Sequence, residues 1–222
     1  LTLAAYWRPL VNVSGDFYDA IRIDDDRTLL VMGDVSGKGL AAALVMGVVI
    51  NTIRAAGDKA DLAALIRSCD RAIRGMGLED KYVVMFLGLV DVGAKRLSYV
   101  NAAMPDQYLV VRTVKGPVIK RLASNCGIVG LVPVASVEVE EIELRTDDVI
   151  ALTTDGLTEI MGADGLVIDQ STEFAKLMGG AVDSSIDDLV ERLATLGETY
   201  NAEASLRDDI TILAAKVGRL WD

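Results

Sequence analysis

The run Val83-Val84-Met85-Phe86-Leu87-Gly88-Leu89-Val90 is apolar at nearly every position. A strand of that pattern has no face to give to water and must be buried on both sides. The rest of the chain therefore has to build layers over it. Strand-like segments come first, at Thr2–Trp7, Phe17–Ile23 and Thr28–Val35, the last two joined by the acidic loop Asp24-Asp25-Asp26-Arg27. Two helical patterns follow, Gly39–Ala55 and Ala60–Met76, broken at Gly57 and at Gly75-Met76-Gly77. A long β region comes next: Tyr82–Val90, Arg96–Asn101, Gln107–Thr113, Val118–Leu122, Ser136–Leu144 and Val149–Thr154. Within it, Val137-Glu138-Val139 alternates and Ile142-Glu143-Leu144 resumes in the opposite phase, which predicts a bulge at Glu140-Glu141. Ile186, Leu189, Val190, Leu193 and Leu196 follow helical spacing with Ser184 as the cap, and the chain closes on a strand over Ile210–Val217. This order does not fit βαβ alternation. It predicts an α+β fold of two packed antiparallel sheets with helices on both outer faces. No Pro-, Ser- or Gly-rich linker and no internal repeat divides the chain, so a single domain over residues 1–222 is expected.

Composition narrows the chemistry more than the fold. The 222 residues contain no histidine, which removes Ser-His-Asp and Cys-His nucleophile machinery, His-ligated zinc and imidazole acid-base catalysis together. Carboxylates, hydroxyls, Lys, Arg or a bound cation must carry any reaction. The 33 Asp and Glu against 22 Lys and Arg give a net charge of −11, which argues against a nucleic-acid or anionic-membrane surface. Cys69 and Cys126 lie far apart in no Cys-x-x-Cys pattern and read as reduced core thiols. The opening Leu1-Thr2-Leu3 lacks the pattern of a signal peptide, and the longest apolar stretch, Leu40 to Ile53, is too short for a bilayer. A cytoplasmic location is the expectation that follows.

Attention then falls on aspartates where apolar runs stop or start. Asp34 follows Leu29-Leu30-Val31-Met32-Gly33, and Asp155 follows Val149-Ile150-Ala151-Leu152-Thr153-Thr154. Asp208 and Asp209 precede Ile210-Thr211-Ile212-Leu213, and Asp16 lies in Ser14-Gly15-Asp16-Phe17-Tyr18-Asp19. A carboxylate pinned at the edge of a core is costly unless a positive charge compensates its desolvation. Lys and Arg are few around these positions, with Lys38 four residues past Asp34, and divalent ions such as Mg²⁺ or Mn²⁺ would serve, being ligated by carboxylate and carbonyl oxygens. The alternative is that these aspartates are ordinary turn and cap residues.

Three other strings compete. Gly33-Asp34-Val35-Ser36-Gly37-Lys38-Gly39 resembles a phosphate loop, but its glycine spacing is short and Gly39 stands where Ser or Thr is needed. Asp24-Asp25-Asp26-Arg27-Thr28 matches the Asp-x-Asp-x-Thr pattern of aspartate-nucleophile phosphatases. The preceding Ala20-Ile21-Arg22-Ile23 alternates like an exposed strand, which favours a polar hairpin loop. Cys69 has no basic partner nearby and reads as a buried thiol.

Four motifs together carry a resemblance. Ser14-Gly15-Asp16-Phe17-Tyr18-Asp19, Gly33-Asp34-Val35-Ser36-Gly37-Lys38-Gly39-Leu40, Thr154-Asp155-Gly156-Leu157-Thr158-Glu159 and Asp208-Asp209-Ile210-Thr211 resemble the motifs of the metal-dependent protein phosphatases (PPM), and more narrowly of their bacterial SpoIIE/RsbU branch. The resemblance implies a four-layer α-β-β-α sandwich with two Mn²⁺ or Mg²⁺ ions. It implies that Asp34 bridges them, that the Val35 carbonyl completes one, and that Asp155 and Asp208 ligate the other. Asp16 would act near the second metal or its waters, with Asp209 in support; the last pair is ambiguous by one residue, so both are kept. The implied activity is hydrolysis of phosphoserine or phosphothreonine by a metal-activated water, without a covalent phosphoenzyme. The implied substrate is a phosphorylated STAS-type anti-sigma-factor antagonist in stress or development signalling. An upstream sensor domain or activator would control it, the two helix patterns after Asp34 would act as a switch hinged at Gly57, and a homodimer is compatible. Two positions depart from the branch: Ser14 replaces a usual glycine, and Asn101-Ala102-Ala103-Met104 stands where Asn-Ala-Gly-His is common. A pseudophosphatase binding module is the rival from another class, and a nucleophilic Asp24 is the further alternative.

Overall fold

The computed structural model describes residues 1–10, 14–78, 80–163, 165–200 and 208–218. In chain order the elements are β1 (Thr2–Arg8), β2 (Phe17–Arg22), β3 (Arg27–Val35), α1 (Leu40–Ala55), α2 (Leu62–Gly75), β4 (Val83–Asp91), β5 (Arg96–Ala102) and β6 (Gln107–Thr113). They continue with β7 (Gly116–Leu122), β8 (Glu140–Glu143), β9 (Val149–Thr153), α3 (Asp155–Thr158), α4 (Thr172–Gly180), α5 (Ile186–Thr199) and β10 (Ile210–Lys216), with a 3₁₀ turn at Ile168–Gln170. Two antiparallel five-stranded sheets result, which is the α+β class the sequence predicts.

One compact unit spans Val11–Met104 and Ala123–Leu144 and holds the sheet β2-β3-β4-β5-β8 with α1 and α2. β4 is its centre, and six consecutive residues, Met85 to Val90, are buried, as the continuous apolar run requires. α1 and α2 bury Val45, Val49, Ile53, Leu65, Ile66 and Cys69 in a core shared with Leu29, Val31 and Leu87 of the strands. α1 stops where Ala56 turns to extended backbone, and α2 starts where the Asp61 carboxylate accepts the Ala64 N–H at 2.8 Å. Phe17 pairs across from Gly33, and a Cβ at residue 33 would lie 2.4 Å from the Phe17 ring. That contact seats the start of β2, and with it Asp16, against the strand that carries Asp34.

The second unit spans Leu1–Leu10, Pro105–Leu122 and Arg145–Asp222 and holds the sheet β1-β10-β9-β6-β7 with α3, α4 and α5. Its core joins Val110, Val149, Ala151, Ile212 and Ala214 of the sheet to Phe174, Met178, Ile186, Leu189 and Leu193 of the helices. β9 is short, and all five of its residues are buried. No helix among the described residues is long and apolar enough to cross a membrane.

Some expectations are corrected. The strand predicted over Ser136–Leu144 is only Glu140–Glu143, and there is no bulge. Glu140 and Glu141 pair in unbroken register with Tyr99 and Ser98, so the phase change marks where the ladder begins. The cap of α5 is Ser185, whose hydroxyl accepts the Asp188 N–H at 3.1 Å, whereas the Ser184 hydroxyl donates to the Ala181 carbonyl. α4 was not foreseen; Ser171 caps it by accepting the Phe174 N–H at 3.1 Å. Asp24 does occupy a hairpin turn, where its carboxylate takes the Arg27 backbone N–H and guanidinium.

The departure at Ala103 has a backbone cost. Ala103 has φ +59°, a left-handed conformation that disfavours a Cβ by roughly 1–2 kcal/mol. The turn is held by the buried Asn101 side chain, which accepts the Met104 N–H at 3.0 Å, and by Ser124 Oγ, which accepts the Ala103 N–H at 3.2 Å. Glycine's greater freedom in the unfolded chain offsets about 0.4–1 kcal/mol of that strain. Ala103→Gly is therefore expected to raise Tm by about 1–4 °C in thermal unfolding, the scale for a chain of this size; an unchanged or lower Tm would refute strain at this turn.

Candidate functional site

The aspartates singled out in the sequence fall into two groups, one in each unit. In the second unit, β9 ends at Thr153 and Asp155 opens the short helix α3. The end of β9 is clamped by the buried amide of Gln107, whose Oε1 accepts the Thr153 N–H at 2.7 Å while its Nε2 donates to the Thr153 carbonyl at 3.0 Å. Thr154 continues the clamp toward β10: its N–H donates to the Thr211 carbonyl and its hydroxyl accepts the Thr211 N–H, both at 3.1 Å. Next, a Cβ placed on Gly156 would sit 1.7 Å from the Asp209 carbonyl oxygen. Only glycine permits that backbone contact, which brings the Asp208-Asp209 segment against the first turn of α3.

The two adjacent aspartates then do different work. Asp209 is buried and its Oδ1 accepts the Leu10 N–H at 2.6 Å, which ties the segment to the end of β1. Asp208 is half-buried, and its Oδ1 accepts the Asp209 N–H at 2.9 Å. The Asp155 carboxyl is pushed above its ordinary pKa first by burial and then by the negative charges of Asp208 and Glu159, with backbone N–H contacts at residues 155 and 156 opposing in part. Among the described residues its charged neighbours are anions, the situation a bound cation would relieve.

In the first unit, Asp34 sits half-buried near the end of β3, opposite Val84 in the ladder with β4, and Val35 is buried. Gly15 lies against both: a Cβ there would stand 2.8 Å from the Val35 carbonyl oxygen and 3.2 Å from Asp34 Oδ1, and the Gly15 carbonyl accepts the Val35 N–H at 3.3 Å. The missing side chain leaves a cradle in front of a carboxylate and a carbonyl oxygen. Asp16, next in sequence, is buried, and its N–H donates to Ser14 Oγ at 2.9 Å. Ser14, a departure from the branch pattern, thus holds the backbone at Asp16. Ser36 is fixed by Tyr82, accepting its N–H at 3.0 Å, and by the Asp80 carbonyl, to which it donates at 3.1 Å. Gly37 and Gly39 have φ +79° and +78°, which carries the chain through the tight turn into α1.

Both groups offer only hard oxygen donors, carboxylates and a carbonyl, and that donor set fits Mg²⁺ or Mn²⁺. Among the described residues, no group of three or more Asp, Glu or Cys side chains is placed to hold a metal by itself. Cys69 takes no part; burial pushes its thiol up to about 12, which makes it inert as a nucleophile at neutral pH. Sequence reasoning missed Gln107 altogether, since a glutamine at the start of a strand carries no local signal. The neighbouring Thr154 lay in a recognised motif, but nothing in the sequence showed its two bonds to Thr211.

With this geometry in view, residues 24–218 match the family model described as Stage II sporulation protein E (SpoIIE), and the chain belongs to that family. It is a SpoIIE/RsbU-like member of the PPM, or PP2C-type, phosphatases. The SiaA PP2C domain of Pseudomonas aeruginosa shares the fold at a TM-score of 0.81 and 25% identity, covering 96% of this chain and 85% of that one. A structure of the RsbU and RsbW domains of a Mycobacterium tuberculosis protein matches at 0.76 and 25% identity, covering 100% of this chain and 62% of that one. RsbX in complex with magnesium shares the fold alone, at 0.71 and 14% identity over 97% of this chain and 94% of that one. Protein IcfG of Synechocystis sp. is 26% identical over 184 residues, 70% of this chain but only 28% of that protein.

Two outcomes follow from the site. Gly156→Ala should destabilise the protein by roughly 3 kcal/mol or more, because overpacking here meets backbone that cannot yield locally; urea unfolding would measure it, and a loss below about 1 kcal/mol would show that the contact is not tight. In chelator, Asp155→Asn should raise Tm at neutral pH. The raised pKa of Asp155 also means that wild-type stability is gained as pH falls through it, and lost as pH rises. That gain should shrink in the variant; equal pH profiles for both would refute the electrostatic reading.

Proposed function

We propose that this chain is a metal-dependent protein serine/threonine phosphatase acting on a phosphorylated regulatory protein. The single observation that carries this is the close Gly156–Asp209 backbone contact, which sets Asp155 and Asp208 together, with Asp155 meeting only negative charge among the described residues. In this reading Asp34, Asp16 and the Val35 carbonyl are the cation-holding groups of the first unit, and Asp155 and Asp208 those of the second. Asp209 serves as the anchor, since its carboxylate is given to the Leu10 N–H. Two divalent ions, Mn²⁺ or Mg²⁺, supply an activated water and neutralise the phosphoryl oxygens when bound.

The chain's own residues explain the rest. Thr154, Gln107 and Gly156 fix where Asp155 points, and Gly15 leaves the Val35 carbonyl open to a ligand. Ser36 already has a donor and an acceptor and is a structural residue rather than an acid. With no histidine in the chain, the proton for the departing serine or threonine oxygen comes from water. The preferred substrate is a phosphoserine-bearing STAS-type antagonist of an anti-sigma factor. The pairing of RsbU and RsbW domains in the mycobacterial relative supports a regulatory circuit of that kind. This chain spans about a quarter of IcfG, in keeping with an effector module governed by a sensor domain or activator protein in a longer, cytoplasmic protein.

The test is phosphate release from a phosphoseryl STAS-domain protein with Mn²⁺ or with chelator. Wild type should release phosphate only with the cation; Asp155→Asn should lose about 10²-fold or more of the rate, as removal of a group that stabilises the reacting charge does. Asp24→Asn should retain full rate, because Asp24 is committed to Arg27 in an exposed turn. Loss of activity in Asp24→Asn with a trapped aspartyl-phosphate would establish the aspartate-nucleophile alternative. No release under any condition, with no heat of Mn²⁺ binding, would establish a pseudophosphatase.

A further inference from the structure

Sheet edges invite unwanted strands, and proteins blunt them with proline, charge or shortness. Three of the four edges here are blunted. β7 carries Pro117, Lys120 and Arg121; β8 is four residues long with three glutamates; β2 carries Asp19 and Arg22. β1 is the exception. Its single charge is Arg8 at its end, Leu3 and Trp7 are 40% and 47% exposed, and among the described residues it pairs with β10 alone.

A groove runs beside that free edge. Residues of α5 from Asp187 to Glu198, together with Ala4–Tyr6 of β1, line an open cavity of about 260 Å³. The twelve residues from Asp187 to Glu198 span eleven rises of about 1.5 Å, roughly 16 Å, the length of about five residues of extended chain. The floor is apolar, from Val190 and Ala194, and the rim is acidic, from Asp187, Glu191 and Glu198. The rim already holds one cation: Arg8 Nη1 lies 2.5 Å from Glu198 Oε1, which also accepts the Tyr6 hydroxyl at 2.8 Å. Asp187 and Glu191 make no ion pair among the described residues. Both stand about one helical turn apart on the same stripe.

We propose that the groove between β1 and α5 docks an extended segment of a partner protein in which small apolar residues alternate with Lys or Arg, added as a strand on the free edge of β1. Main-chain hydrogen bonds to β1 supply the attachment; the basic side chains, on the face turned to α5, lay their aliphatic stems over Val190 and Ala194 and meet Asp187 and Glu191, while the small apolar ones, on the opposite face, lie beside the exposed Leu3 and Trp7. The site uses none of the carboxylates assigned to phosphatase chemistry, so it stands or falls separately.

The probe is a fluorescent Lys-Val-Lys-Val-Lys-Val peptide, followed by anisotropy at about 0.15 M ionic strength to suppress diffuse attraction. Wild type should bind it at least about tenfold more tightly than Glu-Val-Glu-Val-Glu-Val, and about tenfold more tightly than the same peptide N-methylated at alternate residues. Asp187→Lys/Glu191→Lys should weaken binding by about tenfold, whereas Asp25→Lys/Glu138→Lys, with the same charge change on exposed residues of the other unit, should change it less than about twofold. Circular dichroism and Tm establish that both variants are folded. Equal weakening in both pairs, equal binding of the N-methylated probe, or no binding at millimolar peptide would each overturn the proposal.

Discussion

The contact between Gly156 and the Asp209 carbonyl is the constraint on which the catalytic reading of the second unit rests. A Cβ at 156 would stand 1.7 Å from that oxygen, so the chain can close here only as glycine. The reason is not backbone conformation. Gly156 and Gly15 are both absent from the residues with positive φ, unlike Gly37 and Gly39. These two glycines are needed for space, one to bring Asp208 against α3, the other to leave room before the Val35 carbonyl. Bonds from Thr154 to Thr211, Gln107 to Thr153 and Leu10 to Asp209 then hold the close approach rigid. That rigidity matters because the carboxylates it assembles repel each other, and flexible backbone would let them part.

The absence of histidine and the acidic balance fit the same logic. A chain without imidazole has no side chain that titrates near neutrality unless burial or like charge moves one there. Asp155 is moved upward by both. Such a group is a poor structural element by itself, since its charged form weakens the fold. It becomes an asset where a hard cation reverses the sign of the local field, and the donors at Asp34 and Val35 in one unit, and at Asp155 and Asp208 in the other, are oxygens of the kind that such cations take.

Much of this was readable from the sequence because it rests on short-range pattern. The unbroken apolar run of β4 demanded a doubly buried strand, and the aspartates ending β3 and β9 stood out against apolar neighbours. The family motifs added the order of the site residues. What could not be read were pairings between distant segments. Gln107 reaches 46 residues along the chain to Thr153, and nothing around it distinguishes it from a surface glutamine. The false bulge at Glu140-Glu141 arose because a period-two pattern was traced through Val137 and Val139, which precede the ladder. The missed α4 has weak amphipathic character, with only Phe174 and Met178 buried, and its start is set by the Ser171 cap.

The adjacent pair Asp208-Asp209 shows how structure divides what a motif leaves joined. Asp208 sits at a bend and Asp209 directly precedes β10, and the two consecutive carboxylates take different partners. Asp209 spends its carboxylate on the Leu10 N–H, and its carbonyl is the group that presses on Gly156. Asp208 is the one whose charge is felt at Asp155. If cations bind where the carboxylates converge, Asp208 is the ligand and Asp209 the strut, and the roles cannot be exchanged by moving the acid one residue along the chain. The substitution Asp209→Asn would keep an oxygen for Leu10 and so preserve the strut, while Asp208→Asn would remove the charge that couples to Asp155. The same chemical change at neighbouring positions therefore acts on two different links, the first on how the backbone is held and the second on what it can hold.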